Sequence, residues 1–262
     1  MIRLFHVSDV HFGAEDKAAI AWFGEAVRRE QPDAIIMTGD LTMRARTAEF
    51  EAAAEWLESL GRPVTVEVGN HDLPLYNLFA RFVRPYKRYK RLERMIERPL
   101  EIDGVAIVPL KTTARFQFRW DWSKGYVGDK ALARTLKLIR RVPKGDLIFI
   151  AAHHPLIDVG TKSSGETCGG AVALDAVKAA GADAVLSGHV HDPFDIPYGT
   201  AGGQLRMVGA GTLSTRTRDD PPSFNEIRIE GGQFETIARK MGAEDAPVTA
   251  LEPTSYASSP RT

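Results

Sequence analysis

Five short polar clusters carry the residue types in this chain that could do chemistry: Asp9-Val10-His11, Gly39-Asp40, Gly69-Asn70-His71-Asp72, His153-His154 and Gly188-His189-Val190-His191. Together they offer aspartates, an asparagine and several histidines, the oxygen and nitrogen donors that borderline divalent metals take up. That inventory suits a pair of metal ions. On an extended segment residues i and i+2 project to one side, so Asp9 and His11 can reach one ion together, whereas adjacent Asn70 and His71 diverge. The same spacing, taken alone, puts His189 and His191 on a single ion. Glycines at 39, 69 and 188 permit the tight turns that bring such side chains round. Taken singly, Asp-x-His and Gly-Asp read as turns or helix caps, and an isolated His pair reads as structural. Five such clusters at successive strand ends are not explained that way.

The elements that must position them are legible from apolar periodicity. Each cluster follows an apolar run, at residues 4–7, 34–37, 64–68, 147–152 and 184–186, which gathers the clusters outside the carboxyl ends of strands in an α/β sheet. Ile20, Phe23 and Val27 mark a helix that stops before Pro32, and Phe50, Ala53, Leu57 and Leu60 mark a second that stops at Gly61. These two separate the first three strands as right-handed parallel crossovers require. Leu132, Leu136 and Ile139 give a third helix, and Val172, Ala176, Val177 and Ala180 a fourth. Strand-like runs at 205–208, 224–229 and 234–237, separated by Gly and Pro turns, are expected to complete a second sheet.

Bulk properties bound the answer. The 262 residues can bury a substantial core, read here as one domain over 1–240 followed by a disordered Ala/Pro/Ser/Thr-rich tail over 241–262. Lysine plus arginine equals aspartate plus glutamate at 34 each, so no global charge draws the protein to nucleic acid or membrane, and no dedicated nucleic-acid partner is expected. Cys168 is the single cysteine, which excludes an internal disulfide and fits a reducing, cytoplasmic setting. No apolar stretch approaches the roughly 20 residues of a membrane helix.

In this order, Asp-x-His, Gly-Asp, Gly-Asn-His-Asp, His-His-Pro and Gly-His-x-His resemble the motifs of the calcineurin-like metallophosphoesterases, particularly their bacterial cyclic-nucleotide phosphodiesterase-like branch. The motifs span residues 9–191, and the strand and helix rhythm carries the likeness to about residue 239. The resemblance implies a four-layer αββα sandwich with a dinuclear site at one end. It implies that Asp9, His11, Asp40 and His191 hold one ion and that Asp40, Asn70, His153 and His189 hold the other, with Asp40 shared. His189 and His191 are thereby sent to different ions, against the spacing argument. The ions would be two divalent metals of the Mn, Fe, Zn or Co kind. His71, left free of metal, would give a hydrogen bond or proton to the departing oxygen, and Asp72 would orient a histidine from behind.

The implied activity is phosphodiester hydrolysis by a metal-bridging hydroxide, on a small phosphate ester such as a cyclic nucleotide. A phosphomonoesterase or a lipid-linked nucleotide pyrophosphate hydrolase are the neighbouring readings. A non-catalytic metal-binding scaffold is the reading from another class, opposed by the presence of every implied ligand. One departure stands out: relatives often place a further acidic or amide residue after Gly-Asp-Leu, where this chain has Thr42 and Met43. His154 and His6 read as structural.

Two segments are candidates for substrate contact. Over 73–100, Tyr76, Phe79, Phe82, Tyr86, Tyr89, Leu92 and Ile96 recur at helical spacing around Pro85, with an excess of six positive charges over 81–98. This helical basic insertion reads as a solvated face, or as a cap that meets an anionic substrate or an acidic membrane surface. Over 111–126, alternating aromatics accompany Arg115, Arg119 and Lys124. They suit a strand edge, or a loop in which Arg115 or Arg119 clamps a phosphoryl oxygen. Cys168, in 163–170, reads as a small loop residue.

Overall fold

The computed structural model describes residues 1–73, 92, 94–96, 98–114, 123–161, 167–199, 205–218 and 220–247. Two six-stranded sheets lie face to face between helices. The first contains β1 (Ile2–Val7), β2 (Ala34–Met37), β3 (Val64–Val66), β10 (Ser223–Glu230), β11 (Gln233–Lys240) and β12 (Ala246–Pro247), in the order β12-β11-β10-β1-β2-β3. The second contains β4 (Leu100–Ile102), β5 (Val105–Pro109), β6 (Leu147–Ala151), β7 (Ala184–Ser187), β8 (Phe194–Tyr198) and β9 (Leu205–Gly209), in the order β4-β5-β6-β7-β9-β8. β1, β2 and β3 are parallel, as are β5, β6, β7 and β9.

Strand alternation builds three apolar layers. Leu4 and Ile36 of the first sheet meet Val105, Ile107, Phe149 and Leu186 of the second between the sheets. Phe5, Val7, Ile35 and Met37 point the other way, against α1 (Lys17–Glu30) and α2 (Thr47–Ser59) through Phe23, Val27, Phe50 and Leu57. Ala106, Val108, Ile150 and Val185 meet α3 (Asp129–Ile139) and α4 (Gly170–Ala179) through Ile139, Leu174 and Val177. The result is the expected four-layer αββα sandwich, in which central parallel strands such as β2 and β6 are wholly apolar because both faces are covered. α1 begins at Asp16, which accepts from the amides of Ala18 and Ala19, and ends at left-handed Gln31 before Pro32. Among the described residues no helix is long and apolar enough to cross a membrane.

Three expectations change. The runs at 224–229 and 234–237 join the first sheet, not the second. β10 pairs antiparallel with the free edge of β1, and the Gly231-Gly232 turn, with φ of 59° and 75°, returns the chain as β11. Charge holds that hairpin to α1, since Arg239 bonds Glu226 at 2.7 Å and Glu30 at 3.1 Å. Ala246–Pro247, inside the expected tail, adds an edge pairing to β11, while 248–262 lie outside the described residues. On α4 the buried face is Ala173, Leu174 and Val177, and Val172 is exposed, so the apolar stripe is turned from the expected one. Of the basic insertion, residues 74–91, 93 and 97 lie outside the described residues. Leu92 is core, and Met95 and Ile96 pack against it, with the Val66 amide donating to the Met95 carbonyl at 3.0 Å.

Glu226 is fully buried and bonds Arg228 Nε and Arg239 Nη1, each at 2.7 Å. Burial pushes its carboxyl up, but the guanidinium bonds and the charge of Arg3 hold it below the ordinary value of 4.5. Its stabilising contribution is therefore present above pH 4.5 and lost as pH falls through the depressed value. Glu226→Gln, which takes one counter-charge from buried Arg239 and from part-exposed Arg3 and Arg228 while Arg239 keeps Glu30 and Asp245, is expected to cost about 1–3 kcal/mol at pH 7. The gap to wild type, followed by denaturant unfolding, should narrow below pH 4.5. A gap that widens with acid would remove the carboxylate from this role.

Candidate metal centre

All five clusters sit just past β1, β2, β3, β6 and β7, and they converge at one end of the sandwich. The backbone there is unusual. Asp9, His11, Asp40, His189 and His191 have φ between 51° and 72°, and among the described non-glycine residues only Gln31 and Ala45 share that region. Such strain, tolerated where surroundings fix it, gathers at functional sites. It also explains why the i, i+2 rule fails for the last cluster: its premise is an extended chain. His191 Nε2 lies 3.2 Å from Asp9 Oδ1 and 3.3 Å from His11 Nε2, whereas the His189 ring packs beside His153 and His154. The two histidines serve different ends of the cluster.

Glycine is needed for close approach as much as for torsion. A Cβ at Gly69 would overlap the Asp40 carboxylate, and one at Gly188 the Ser8 hydroxyl. Gly39, at φ 99°, would bring a Cβ within 2.5 Å of His153 Nδ1.

Asp40 is the junction. Its Oδ2 lies 3.5 Å from His153 Nε2 and 3.8 Å from His11 Nε2, while its Oδ1 accepts the His71 amide at 2.8 Å. Asn70 Oδ1 lies 3.1 Å from His153 Nε2. Backbone carbonyls fix the imidazoles from behind: Thr38 O takes His153 Nδ1 at 2.7 Å, Arg216 O takes His191 Nδ1 at 2.7 Å, and Met43 O takes His71 Nδ1 at 2.8 Å. Each ring thus keeps a proton on Nδ1 and turns Nε2 inward, the arrangement behind metal-ligating histidines.

These residues fit divalent cations. Asp9 Oδ1 is buried without a hydrogen-bond partner in the cluster and lies 3.2 Å from the inward Nε2 of His191, a pair that a proton or a cation can bridge. Three groups drawn from Asp9, His11, Asp40, His71, His153 and His191, and a fourth made of His153, His154 and His189, each hold their donor atoms within 4.8 Å.

Electrostatics agrees. Burial would push the Asp9 carboxyl up, but His191 and His153 hold it far below its ordinary value, and His153 and His11 do the same for Asp40. His153 is lowered by burial yet carried up to about 9 by Asp40 and Asp9. Burial keeps His11 near 4 and His189 near 3, neutral and able to ligate. A cation entering beside Asp40 therefore displaces a proton from His153.

His154 and His6 are occupied elsewhere. His154 bonds Thr112 Oγ1 and Ser123 O, each at 2.9 Å, and His6 Nε2 meets Thr38 Oγ1 at 3.0 Å. Asp72 acts on the backbone. It accepts from the amides of Leu41, Thr42 and Gly69 and from Thr42 Oγ1, bracing the loops that carry Asp40 and Asn70. Burial and the Asp40 charge push its carboxyl up to about 7 against those bonds.

Above the cluster opens a cleft of about 280 Å³ lined by Asp40, Asn70, His71, Ser123, His189, His191, Lys124, Arg216 and Arg218. Arg216 and Arg218 belong to none of the five motifs. They follow β9, a sixth strand ending at the same edge, and that position is the signal that could have found them. Arg115 and Arg119 lie outside the described residues, while Lys124 of the same segment reaches the cleft. Cys168 pairs by its backbone with Gly125 and Val127.

A family model described as calcineurin-like phosphoesterase matches residues 2–193. The D component of the SbcCD nuclease of Staphylococcus saprophyticus is 26% identical over 217 residues, covering 74% of this chain and 58% of that one, so the chain spans little more than half the length of that relative. A probable cyclic nucleotide phosphodiesterase of Synechococcus is 29% identical over 83 residues, 28% of this chain and 32% of that one. Among solved structures, a dimetal phosphatase from Danio rerio superposes with a TM-score of 0.66 at 12% identity, covering 95% of this chain and 99% of that one. A Thermus thermophilus protein, TT1561, gives 0.56 at 13% identity over 90% and 97%. At these identities the structural likeness speaks to the fold.

Proposed function

Because this chain belongs to the calcineurin-like phosphoesterases, we propose that it is a cytoplasmic, metal-dependent phosphodiester hydrolase acting on a small phosphate ester. The observation that carries the reading is the convergence on Asp40: one carboxylate stands within 3.8 Å of imidazoles from opposite sides of the cluster. We assign Asp9, His11, Asp40 and His191 to one divalent ion, and Asp40, Asn70, His153 and His189 to the other. Two such cations supply charge neutralisation for the phosphoryl oxygens and an activated water.

The chain's own residues do the rest. The carbonyls of Thr38 and Arg216 hold His153 and His191 in the ligating tautomer. Asp72 keeps the Asp40 and Asn70 loops in register. His71, with Arg216 Nη1 at 3.2 Å from its Nε2, stands on the cleft side, where we place the leaving oxygen. A diester rather than a monoester is supported by the activities for which the nuclease relative and the cyclic nucleotide enzyme are named.

The test pairs elemental analysis of the purified protein with turnover of a bis-aryl phosphate and a mono-aryl phosphate. The expected result is about two divalent ions per chain and preference for the diester. Preference for the monoester would reverse the substrate assignment, and metal without turnover of either would favour the scaffold reading.

A further inference from the structure

The metal centre draws on the ends of five strands, and β5 is not among them. β5 runs parallel to β6, so its carboxyl end opens at the same edge of the second sheet, where α/β folds receive ligands. A cavity of about 380 Å³ lies there, between the chain leaving β5, at Pro109, Lys111 and Thr113, and the first turns of α3. Among the described residues it shares no lining side chain with the metal cleft. The strap that separates the two serves both: Ser123 and Lys124 line the cleft, whereas Tyr126 and Gly128 line the cavity.

The lining combines a ring with positive charge. Lys111, Lys130 and Arg134 border the cavity, and among the described residues no carboxylate and no histidine does. Tyr126 lies against the start of α3, where Gly128 leaves it room, since a Cβ there would stand 3.1 Å from the ring. Gly128 also caps α3 without a side-chain hydrogen bond, and the amides of an uncapped first turn favour negative charge. A separate observation points to a ligand. Thr113 lines the cavity at 5% exposure, and its Oγ1 is buried without a hydrogen-bond partner. The hydroxyls around it are satisfied: Thr112 Oγ1 meets His154 Nδ1 at 2.9 Å, and Thr135 Oγ1 donates to Pro109 O at 2.7 Å. A buried hydroxyl left alone costs free energy that an acceptor in the cavity restores.

We propose that this cavity is a second ligand site, separate from the metal cleft, for an organic anion that joins an aryl or branched aliphatic body to a carboxylate or other oxyanion head. The body packs on Tyr126, Pro109 and Ala131. The head accepts from Thr113 Oγ1 within the positive rim of Lys111, Lys130 and Arg134. No metal-ligand type lines the site, so hydrogen bonds and charge hold the head.

The test uses the metal-loaded full chain and the fluorescence of anilinonaphthalene sulfonate, an aryl oxyanion, with uncharged phenylnaphthylamine as the comparison probe. Wild type should bind the sulfonate at a single site and roughly 10- to 100-fold more tightly than the neutral probe, which is what a hydrogen bond to a charged group is worth. Thr113→Val keeps the shape and removes the hydroxyl, so it should erase most of that preference. Its Tm should equal or exceed the wild-type value, because an unpartnered buried hydroxyl leaves with the substitution. Replacing Lys130 and Arg134 together with glutamine should weaken the sulfonate at low salt and matter less at high salt, as exposed charges do. Arg218→Gln, on the metal cleft, should leave the affinity unchanged. Equal binding of the two probes by wild type, or no binding of the sulfonate, would overturn the proposal. Loss of the sulfonate in Arg218→Gln would place the probe in the metal cleft and overturn it too. So would a Thr113→Val protein that keeps the affinity of wild type, since the hydroxyl would then serve the fold alone.

Discussion

Replacing Asp40 with alanine is expected to lower kcat by at least about 10²- to 10³-fold, what the loss of one preorganised electrostatic partner costs, and to strip metal from the protein. Asp40 Oδ2 stands between His153 and His11, and the carboxylate belongs to two of the four donor groups, so its loss opens both at once. Its other oxygen also holds the His71 amide, and Asp40→Ala therefore frees the loop that follows β3. His71→Ala is the matched comparison. It removes a side chain on the cleft side and should leave bound metal near the wild-type amount. Elemental analysis of the two variants decides the matter: equal metal loss would take Asp40 out of its shared position or give His71 a ligand's role. Chelation separates them again. A ligand at a thousandfold its Kd stabilises the native state by about 4 kcal/mol, so a chelator should lower the Tm of wild type and of His71→Ala while scarcely moving Asp40→Ala.

How far the sequence disclosed this arrangement can be argued from particular residues. Asp9, His11, Asp40, Asn70, His153, His189 and His191 were legible because parallel strands with buried faces force whatever follows them to one edge, and the donors stand immediately after the apolar runs. What spacing could not divide was His189 from His191. Torsions of 72° and 65° turn their side chains apart, and no periodicity encodes a left-handed backbone at a non-glycine residue.

Arg216 escaped for a different reason. It lies seven residues beyond β9 in a stretch with no metal-ligand types, although the rule that located the other clusters applied equally to that sixth strand end. The hairpin of β10 and β11 was visible as strands but not as members of the first sheet. Which free edge an antiparallel pair joins depends on β1 having no neighbour opposite β2, a fact of three dimensions. The β4–β5 hairpin was not read from the sequence, although Asp103-Gly104, with Gly104 at φ 91°, stands between its strands as a short hairpin signal.

The second large effect concerns Asp72, whose role is invisible without the fold because its partners include backbone amides at Leu41 and Thr42, far back along the chain, as well as the nearby one of Gly69. Its Oδ1 accepts from the Thr42 amide at 2.8 Å and from Thr42 Oγ1 at 3.0 Å, and its Oδ2 from Gly69 at 2.9 Å and Leu41 at 3.2 Å. The carboxylate is fully buried, so alanine leaves those amides without an acceptor and without water. Each unsatisfied buried donor costs about 1–3 kcal/mol, which sets the expected destabilisation of Asp72→Ala at about 3 kcal/mol or more. For a domain of this size that is a Tm lower by roughly 6–12 °C. Asp72→Asn keeps the shape but turns an NH2 group against one pair of donors, so it should fall between the two. The loops that lose their brace carry Asp40 on one side and Asn70 on the other, and metal retention should weaken along with stability, by roughly 10- to 100-fold as for other outer partners of metal ligands. Calorimetric metal titration and thermal unfolding on the same samples read both. A variant that loses stability yet binds metal as wild type does would make Asp72 a fold residue only. One within about 1 °C of wild type, against the 2–4 °C that each kcal/mol shifts at this size, would mean that the two loops hold their places without it.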